Sequence, residues 1–277
     1  MKRAYDLWID GDWRAAASGD VVTRTAPSDG TEIAAFASGN EVDIDAAVRA
    51  ARRAYDSGVW SEMPGSGRAA ILNKWADLML AKVDELSRIE AEEAGKPFKA
   101  AKGELEYSIE LTRYAAALAW EIPGRVQSHS GLDKLGLATY EARGVVGMIL
   151  PWNFPAVCLF QKLPYALAAG CATVIKPAEF TSGTTLEVAS LAQEAGVPAG
   201  IINVVSGKGS VVGRALVEHA GIDMISFTGS TAVGRDIAQQ AGARLKHVAL
   251  ELGGKGANIV FADADIDARS EEHTSEL

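Results

Sequence analysis

The stretch GVVGMILPWNFP, residues 144–155, decides the fold of this 277-residue chain. It is a short apolar run that leads directly into a loop of prolines and aromatic residues. From Val145 onward, apolar runs alternate with segments of helical periodicity such as TSGTTLEVASLAQEAG. The further apolar runs are ATVIK, IINVV, MISF, HVALE and NIVF. Strands that alternate with amphipathic helices are typical of a parallel sheet covered on both faces. The sequence therefore predicts an open, doubly wound, mostly parallel α/β sheet.

The segment before this sheet changes character once. The first forty residues predict short strands, with a hairpin in LWIDGDW around Asp10-Gly11 and a second turn-bearing pair in TAPSDGTEIAAFASG. From about residue 43 to residue 120 the pattern is helical, and GRAAILNKWADLMLAKVDELSRIEAEEAGKP is predicted to be a helical stretch that closes at Gly95 and Pro97.

The organisation into domains follows from these patterns. Residues 122–144 predict a two-stranded ribbon, which must pack on something, such as another subunit, because an isolated hairpin is only marginally stable. Residues 1–121 and 145–268 are predicted to form one domain around a Rossmann-like sheet. The last nine residues, 269–277, are polar and show no periodicity.

Composition and charge exclude several classes of protein. The net charge is −9, and an acidic chain without a basic stripe argues against nucleic acid as a partner. The N-terminus lacks the apolar region of a signal peptide, and no stretch approaches the apolar length of a membrane span. Cys158 and Cys171 both lie among apolar neighbours, which favours buried thiols and a cytoplasmic location. No metal site is predicted.

Unusual residues follow five consecutive predicted strands. They are Pro151-Trp152-Asn153-Phe154-Pro155, Lys176-Pro177-Ala178-Glu179, Ser206-Gly207-Lys208-Gly209, Thr228-Gly229-Ser230-Thr231, and Glu251 followed by Gly253-Gly254. In open α/β sheets, ligands bind outside the carboxyl ends of the strands. We therefore expect these residues to converge on one edge of the sheet.

Three of these strand ends have the chemistry of a nucleotide site. Gly207 begins GKGSVVG, which is either a tight turn or a phosphate contact, although it lacks the full G-x-G-x-x-G spacing. Gly229 and Ser230 open a helix whose first N–H groups attract anions. Lys176 and Glu179 bracket a proline-fixed turn and offer a donor and an acceptor to ribose hydroxyls, unless Lys176 is simply a surface lysine.

The other two strand ends have the chemistry of catalysis. Asn153 lies in PWNFP between two prolines, which restrict its backbone, so its amide could donate to a developing oxyanion or simply form a turn. Glu251 ends the run HVALE, where burial of a carboxylate on a central apolar strand would be costly unless it is paired or functional. It is either a salt-bridge partner or a base whose pKa is raised.

Together, PWNFP, KPAEFT, GVPAGIINVVSG, ISFTGSTAVGR and ALELGGK resemble the aldehyde dehydrogenase superfamily in order and spacing, and the resemblance covers residues 5–268. It implies an NAD(P)-binding domain, a catalytic domain and an oligomerisation arm, the last corresponding to the ribbon. A homo-oligomer, a dimer or a tetramer, is the implied assembly, and a small-molecule aldehyde is the implied substrate.

The resemblance also implies a role for each site residue. Asn153 would stabilise the oxyanion and Glu251 would be the general base that releases the acid by hydrolysis. Lys176 and Glu179 would hold the adenosine ribose, and Glu179 would repel a 2′-phosphate, so NAD is favoured over NADP. The resemblance implies four further cofactor contacts, which are Trp152, Gly207, Gly229 and Ser230.

The implied mechanism needs a nucleophilic cysteine, and neither cysteine matches its position, because that position lies a few tens of residues after Glu251. We therefore expect the catalytic domain to be absent from residues 1–277. The end RSEEHTSEL, residues 269–277, is similar to the translation of a sequencing adapter, which predicts a non-native tail. The alternative is a catalytically inert dinucleotide-binding module. The sequence does not identify the aldehyde.

Overall fold

The structure is a computed structural model that describes residues 2–128, 131, 133–257 and 259–265. Its helices are α1 (Glu41–Asp56), α2 (Gly65–Ala81), α3 (Val83–Ala94), α4 (Phe98–Leu118), α5 (Pro155–Phe160), α6 (Leu163–Ala168), α7 (Gly183–Ala195), α8 (Arg214–Glu218) and α9 (Thr231–Gly242), with a π-helical turn at Gly209–Gly213. Its strands are β1 (Arg3–Tyr5), β2 (Leu7–Ile9), β3 (Asp12–Arg14), β4 (Val21–Thr25), β5 (Glu32–Ala37), β6 (Arg125–Gln127), β7 (Gly136–Ala138), β8 (Val145–Ile149), β9 (Ala172–Lys176), β10 (Ile202–Val204), β11 (Met224–Gly229) and β12 (His247–Leu252).

A seven-stranded sheet forms the centre of the fold, in the order β12-β11-β8-β9-β10-β2-β3. The five strands from β12 to β10 are parallel, and the hairpin β2–β3 joins them antiparallel through the pair Trp8 and Val204. Every residue of β8 and β9 is buried, so both faces at the centre are covered. The predicted doubly wound, mostly parallel α/β sheet is confirmed.

The chain reverses its direction of progress across the sheet at β8. The order runs from β8 through β9 to β10 on one side, and then returns to place β11 and β12 on the other side. At such a switch point the loops that leave neighbouring strands separate and open a crevice at the carboxyl ends. The fold therefore provides the ligand position that the sequence predicted.

The two predicted N-terminal strand pairs are both present. Asp10 and Gly11 adopt positive φ values of 60° and 76°, which is the conformation that a two-residue hairpin turn between twisted strands requires. The second pair, β4–β5, belongs to a separate three-stranded sheet in which β1 lies parallel to β5.

The predicted helical stretch after residue 65 is interrupted. Lys82, with φ −111° and ψ 15°, ends α2 and precedes α3, so the single stretch expected from GRAAILNKWADLMLAKVDELSRIEAEEAGKP is two helices. The break lets both helices pack on α4, and the predicted stop at Gly95 is confirmed by its left-handed φ of 72°. The indole of Trp75 donates a hydrogen bond of 2.9 Å to the carbonyl of Val188 and ties α2 to α7.

The ribbon is present as β6 and β7, an antiparallel pair within residues 122–144. In contrast, the strand expected at NIVF is wrong for the residues that can be described, because Ile259, Val260 and Phe261 are exposed and outside any strand. A strand needs a neighbour to satisfy its backbone hydrogen bonds, and among the described residues β12 pairs only with β11. The predicted tail, residues 269–277, lies outside the described residues.

Candidate functional site

A cleft of about 1330 Å³ opens at the carboxyl ends of β8, β9, β11 and β12. Seven of the eight predicted site residues line it: Trp152, Asn153, Lys176, Glu179, Gly229, Ser230 and Glu251. The cleft thus brings together positions that are up to ninety-nine residues apart in the chain. The convergence expected from the strand ends is therefore observed for all but one of them.

One end of the cleft is built by Lys176, Glu179 and Gly209. Lys176 ends β9 and is only 4% exposed, so it is not the surface lysine that the sequence left open. Glu179 Oε1 accepts a hydrogen bond of 2.7 Å from the Gly209 N–H. Burial lowers the pKa of Lys176, and the negative charge of Glu179 opposes that shift. The arrangement presents an ammonium and a carboxylate side by side at the mouth of a concave surface.

Gly209 leaves room at this end of the cleft. A Cβ atom at this position would lie 3.9 Å from both Lys176 Nζ and Glu179 Oε1. Gly207, in contrast, is the one predicted residue that does not line the cleft. It packs against the backbone of Gly39, and a Cβ atom there would lie 2.7 Å from a methyl group of Val212. In this loop Gly209, rather than Gly207, lines the cleft.

The N-terminal end of α9 lines the middle of the cleft. Ser230 is the N-cap, and its Oγ accepts a hydrogen bond of 3.4 Å from the Val233 N–H. Gly229 has no space for a side chain, since a Cβ atom would lie 2.5 Å from the ring of Phe227. The positive end of the α9 dipole therefore faces the cleft, which favours an anionic ligand.

The loop after β8, the strand beside β9, also lines the cleft. Trp152 and Asn153 are exposed to the cleft, and Phe154 precedes Pro155, the first residue of α5. The backbone carbonyl of Asn153 accepts a hydrogen bond of 2.9 Å from Lys96 Nζ. Sequence reasoning missed Lys96, although its position in the helix stop AGKP was a visible signal.

Glu251 lies at the edge of the sheet. The sequence placed it on a central strand, but β12 is an outermost strand and the carboxylate is exposed. Its outer side has no neighbouring strand among the described residues, and the expected burial is not observed. Lys162 lies nearby, and burial lowers its pKa while Cys158 and Glu251 oppose that shift. Lys162 was a second residue that sequence reasoning missed.

Neither cysteine lines the cleft. Cys171 is buried before β9, and Cys158 is partly buried in α5. Burial is the main cause that raises the pKa of both thiols. Because the thiolate is the nucleophilic form, both sites disfavour reactivity.

Two buried carboxylates behind the cleft were also missed by sequence reasoning. Glu90 Oε1 accepts a hydrogen bond from the Ala156 N–H in α5, and Glu93 Oε2 accepts one of 3.0 Å from the Gly183 N–H at the start of α7. Burial raises the pKa of Glu90, and it raises the pKa of Glu93 to about 8. The helices α5 and α7, which follow the loops after β8 and β9, are thus anchored on α3.

Within the described ranges, no set of three or more His, Cys, Asp or Glu side chains is arranged to hold a metal ion. The helices of that same part of the chain include none that is both long and apolar enough to cross a membrane.

Comparison with known proteins agrees with this geometry. Residues 13–276 match the model of the aldehyde dehydrogenase family. The aldehyde dehydrogenase family 2 member C4 of Arabidopsis thaliana is 44% identical over 263 residues, which cover 94% of this chain and 52% of that protein. The chain thus spans about half the length of the curated relatives that it matches.

Solved structures of aldehyde dehydrogenases are also similar to this chain. The structure of an NAD-dependent aldehyde dehydrogenase from Sinorhizobium meliloti superposes with a TM-score of 0.94 at 44% identity, over 98% of this chain and 54% of that one. The NAD+ complex of an aldehyde dehydrogenase from Bacillus cereus superposes with a TM-score of 0.92 at 41% identity, over 96% and 54% of the two chains. Sequence and fold agree, and the chain belongs to the aldehyde dehydrogenase family.

Proposed function

We propose that this chain is the cofactor-binding part of an enzyme that oxidises an aldehyde to a carboxylic acid with NAD as hydride acceptor. The observation that carries the proposal is the cleft itself, where Lys176, Glu179 and the start of α9 lie on one continuous surface. A lysine and a carboxylate suit ribose hydroxyls, and a helix N-terminus suits a pyrophosphate. The residues present therefore fit a dinucleotide.

NAD is proposed over NADP because of Glu179. One of its oxygens accepts the Gly209 N–H, and a carboxylate has further lone pairs with which to accept hydrogen bonds from ribose hydroxyls. A 2′-phosphate at that position would bring two negative charges together, which costs free energy at short range. The family membership of the chain supports use of a nicotinamide cofactor, and the chemistry of Glu179 supports NAD over NADP.

The catalytic roles are proposed for Asn153 and Glu251. The Asn153 side-chain amide would donate a hydrogen bond to the oxygen of the aldehyde as negative charge develops on it. Glu251 would accept a proton from the water that hydrolyses the acyl group. The cofactor, when bound, supplies the hydride acceptor. The acyl group is proposed to be carried by a cysteine outside residues 1–277, because Cys158 and Cys171 do not line the cleft.

A second candidate function treats residues 1–277 as they stand. The placement of both cysteines away from the cleft favours a dinucleotide-binding module without catalysis. The two proposals agree on NAD binding and differ only in turnover. We propose that the purified 277-residue chain binds NAD and produces no NADH when an aldehyde is added.

The partner and the compartment are also proposals. The ribbon exposes Val126 and Leu137, each 69% exposed, which supports a homo-oligomer that covers them. Neither cysteine forms a disulfide, which supports a reducing cytoplasmic compartment. A small-molecule aldehyde is the proposed substrate.

The experiment that tests the proposed function measures NAD binding and NADH formation in the same preparation. The purified chain is titrated with NAD by calorimetry, and NADH absorbance is then followed after addition of short and long aldehydes. Binding without turnover supports the proposal. Absence of NAD binding contradicts the cofactor assignment, and aldehyde-dependent NADH formation contradicts the claim that the nucleophile lies elsewhere.

A further inference from the structure

Lys96 lies between α3 and α4, outside the cleft, yet its side chain reaches the loop that carries Asn153. Its Nζ donates a hydrogen bond of 2.9 Å to the Asn153 carbonyl oxygen, and it lies 4.8 Å from the centroid of the Phe154 ring. The ammonium thus contacts two consecutive residues of the loop at once. Neither of these contacts involves the Asn153 amide, which stays available to the cleft.

Two carboxylates hold the ammonium in this position. Lys96 Nζ is 2.6 Å from Glu104 Oε2 and 3.8 Å from Glu90 Oε1. The three side chains are only 13%, 14% and 0% exposed, so the cluster is shielded from water. A shielded, charge-assisted contact is stronger than an exposed one.

The cluster holds the loop from both sides. Glu90 Oε1 also accepts a hydrogen bond of 3.2 Å from the Ala156 N–H, two residues after Phe154. Pro155, between them, has a fixed φ and no N–H of its own. The loop backbone is therefore anchored before and after Phe154, while Trp152 and Asn153 line the cleft.

We propose that Lys96 is a positioning residue that fixes the direction in which the Asn153 amide enters the cleft. The inference rests on the proposed function, in which Asn153 faces the reacting carbonyl. Lys96 does not line the cleft itself and contacts no residue of its Lys176–Glu179 end. Its loss should therefore change the loop that carries Asn153 and spare Lys176 and Glu179.

The test compares Lys96→Met, Lys96→Arg and a matched control, Lys102→Met, in the 277-residue chain. Methionine keeps most of the apolar stem but cannot donate, whereas arginine keeps the charge and the donors. Lys102 is on α4 and pairs with Asp84 at 2.7 Å, so its substitution removes a lysine ion pair that is more exposed and does not include the loop. Hydrogen–deuterium exchange reports the loop amides, and calorimetry reports affinity for NAD and for adenosine monophosphate.

We expect Lys96→Met to raise exchange about tenfold at the end of the loop, at the Ala156 and Cys158 amides, which donate to Glu90 and to the Phe154 carbonyl. Because Trp152 in the same loop is a proposed cofactor contact, NAD binding should weaken by a similar factor, as loss of one charge-assisted contact would. Affinity for adenosine monophosphate should change less than about twofold, since that ligand would occupy only the Lys176–Glu179 end. Lys96→Arg should recover most of both effects, and Lys102→Met should show neither.

Unchanged exchange in the loop of Lys96→Met would overturn the inference, and so would equal losses for NAD and adenosine monophosphate, which indicate general destabilisation. If the wild-type chain binds no NAD, the proposed function fails, while the exchange data still decide whether Lys96 holds the loop. If Lys96→Met does not fold, Glu104→Gln provides a milder form of the test, with the same selective rise in exchange expected. No rise in that variant would also count against the inference.

Discussion

Glu179 Oε1 lies 2.7 Å from the Gly209 nitrogen, so the loop after β9 is tied to the loop after β10. The contact orients a carboxylate beside Lys176 at the mouth of the cleft. In the proposed function, Glu179 is the side chain that favours NAD over NADP. A change at Glu179 should therefore alter cofactor preference without altering the fold.

We expect Glu179→Gln to weaken NAD binding and to raise the affinity for NADP relative to NAD on the order of tenfold, because the substitution removes one of two repelling charges. The measurement is calorimetric titration of both cofactors. Glu194→Gln is the control, since Glu194 is exposed near the end of α7 and does not line the cleft. An unchanged ratio of affinities in Glu179→Gln would remove Glu179 from the discriminating role.

Two glycines of the cleft should respond differently to alanine. A Cβ atom at Gly229 would lie 2.5 Å from the buried ring of Phe227, whereas one at Gly253 would lie 3.9 Å from Thr231 Oγ1. Overpacking costs about 1–3 kcal/mol, so Gly229→Ala should lower the free energy of unfolding by that amount and Gly253→Ala by less than about 0.5 kcal/mol. Urea unfolding of the two variants measures both values. Equal losses would show that the Phe227 ring can move aside.

Glu93 should make stability depend on pH. Burial raises its pKa from 4.5 to about 8 in the folded protein. Between these values the folded state binds more protons than the unfolded state, so the free energy of unfolding falls as pH rises, by up to about 1.4 kcal/mol per unit. Glutamine has no proton to lose. Between about pH 5.5 and about pH 7.5, the free energy of unfolding of the wild type should therefore fall relative to that of Glu93→Gln by on the order of 2 kcal/mol.

Chemical unfolding at the two pH values measures this shift. Glu92→Gln is the control, because Glu92 is more exposed and pairs with Arg3 at 2.6 Å. The control should show little pH dependence relative to the wild type. A constant difference between Glu93→Gln and the wild type would mean that Glu93 titrates with an ordinary pKa.

In an enzyme that contains the nucleophile, Glu251→Gln should slow the hydrolytic step and leave NAD binding intact. Loss of a general base lowers rates by about 10²–10⁴-fold. We expect a rapid burst of NADH equal to the enzyme concentration, followed by slow turnover, in stopped-flow absorbance. Unchanged steady-state turnover would exclude Glu251 as the base, and loss of the burst would assign it to an earlier step.

Much of this fold could be predicted from the sequence because its signals are local. Apolar runs such as ATVIK mark buried strands, and Asp10-Gly11 marks a two-residue turn. The carboxyl ends of parallel strands meet at one edge, so the site residues could be grouped without knowing the strand order. That reasoning placed Lys176, Glu179 and Ser230 in one cleft correctly.

The errors concern properties that depend on neighbours distant in sequence. Whether Glu251 is buried depends on what pairs with the outer side of β12, which periodicity does not report. Gly207 and Gly209 are two residues apart, and only the packing of Gly39 shows which one lines the cleft. Lys96 donates a hydrogen bond to the carbonyl of Asn153, 57 residues later in the chain, and the helix stop AGKP marks Lys96 without indicating this partner.

The central claim is that the cleft binds NAD, and the most direct measurement is a calorimetric titration of the purified 277-residue chain with NAD, beside Lys176→Met. The account predicts saturable binding at one site per chain. It also predicts a loss of about tenfold or more in the variant, because methionine cannot donate to a ribose hydroxyl. No binding at millimolar NAD, or equal affinity in Lys176→Met, would contradict the account.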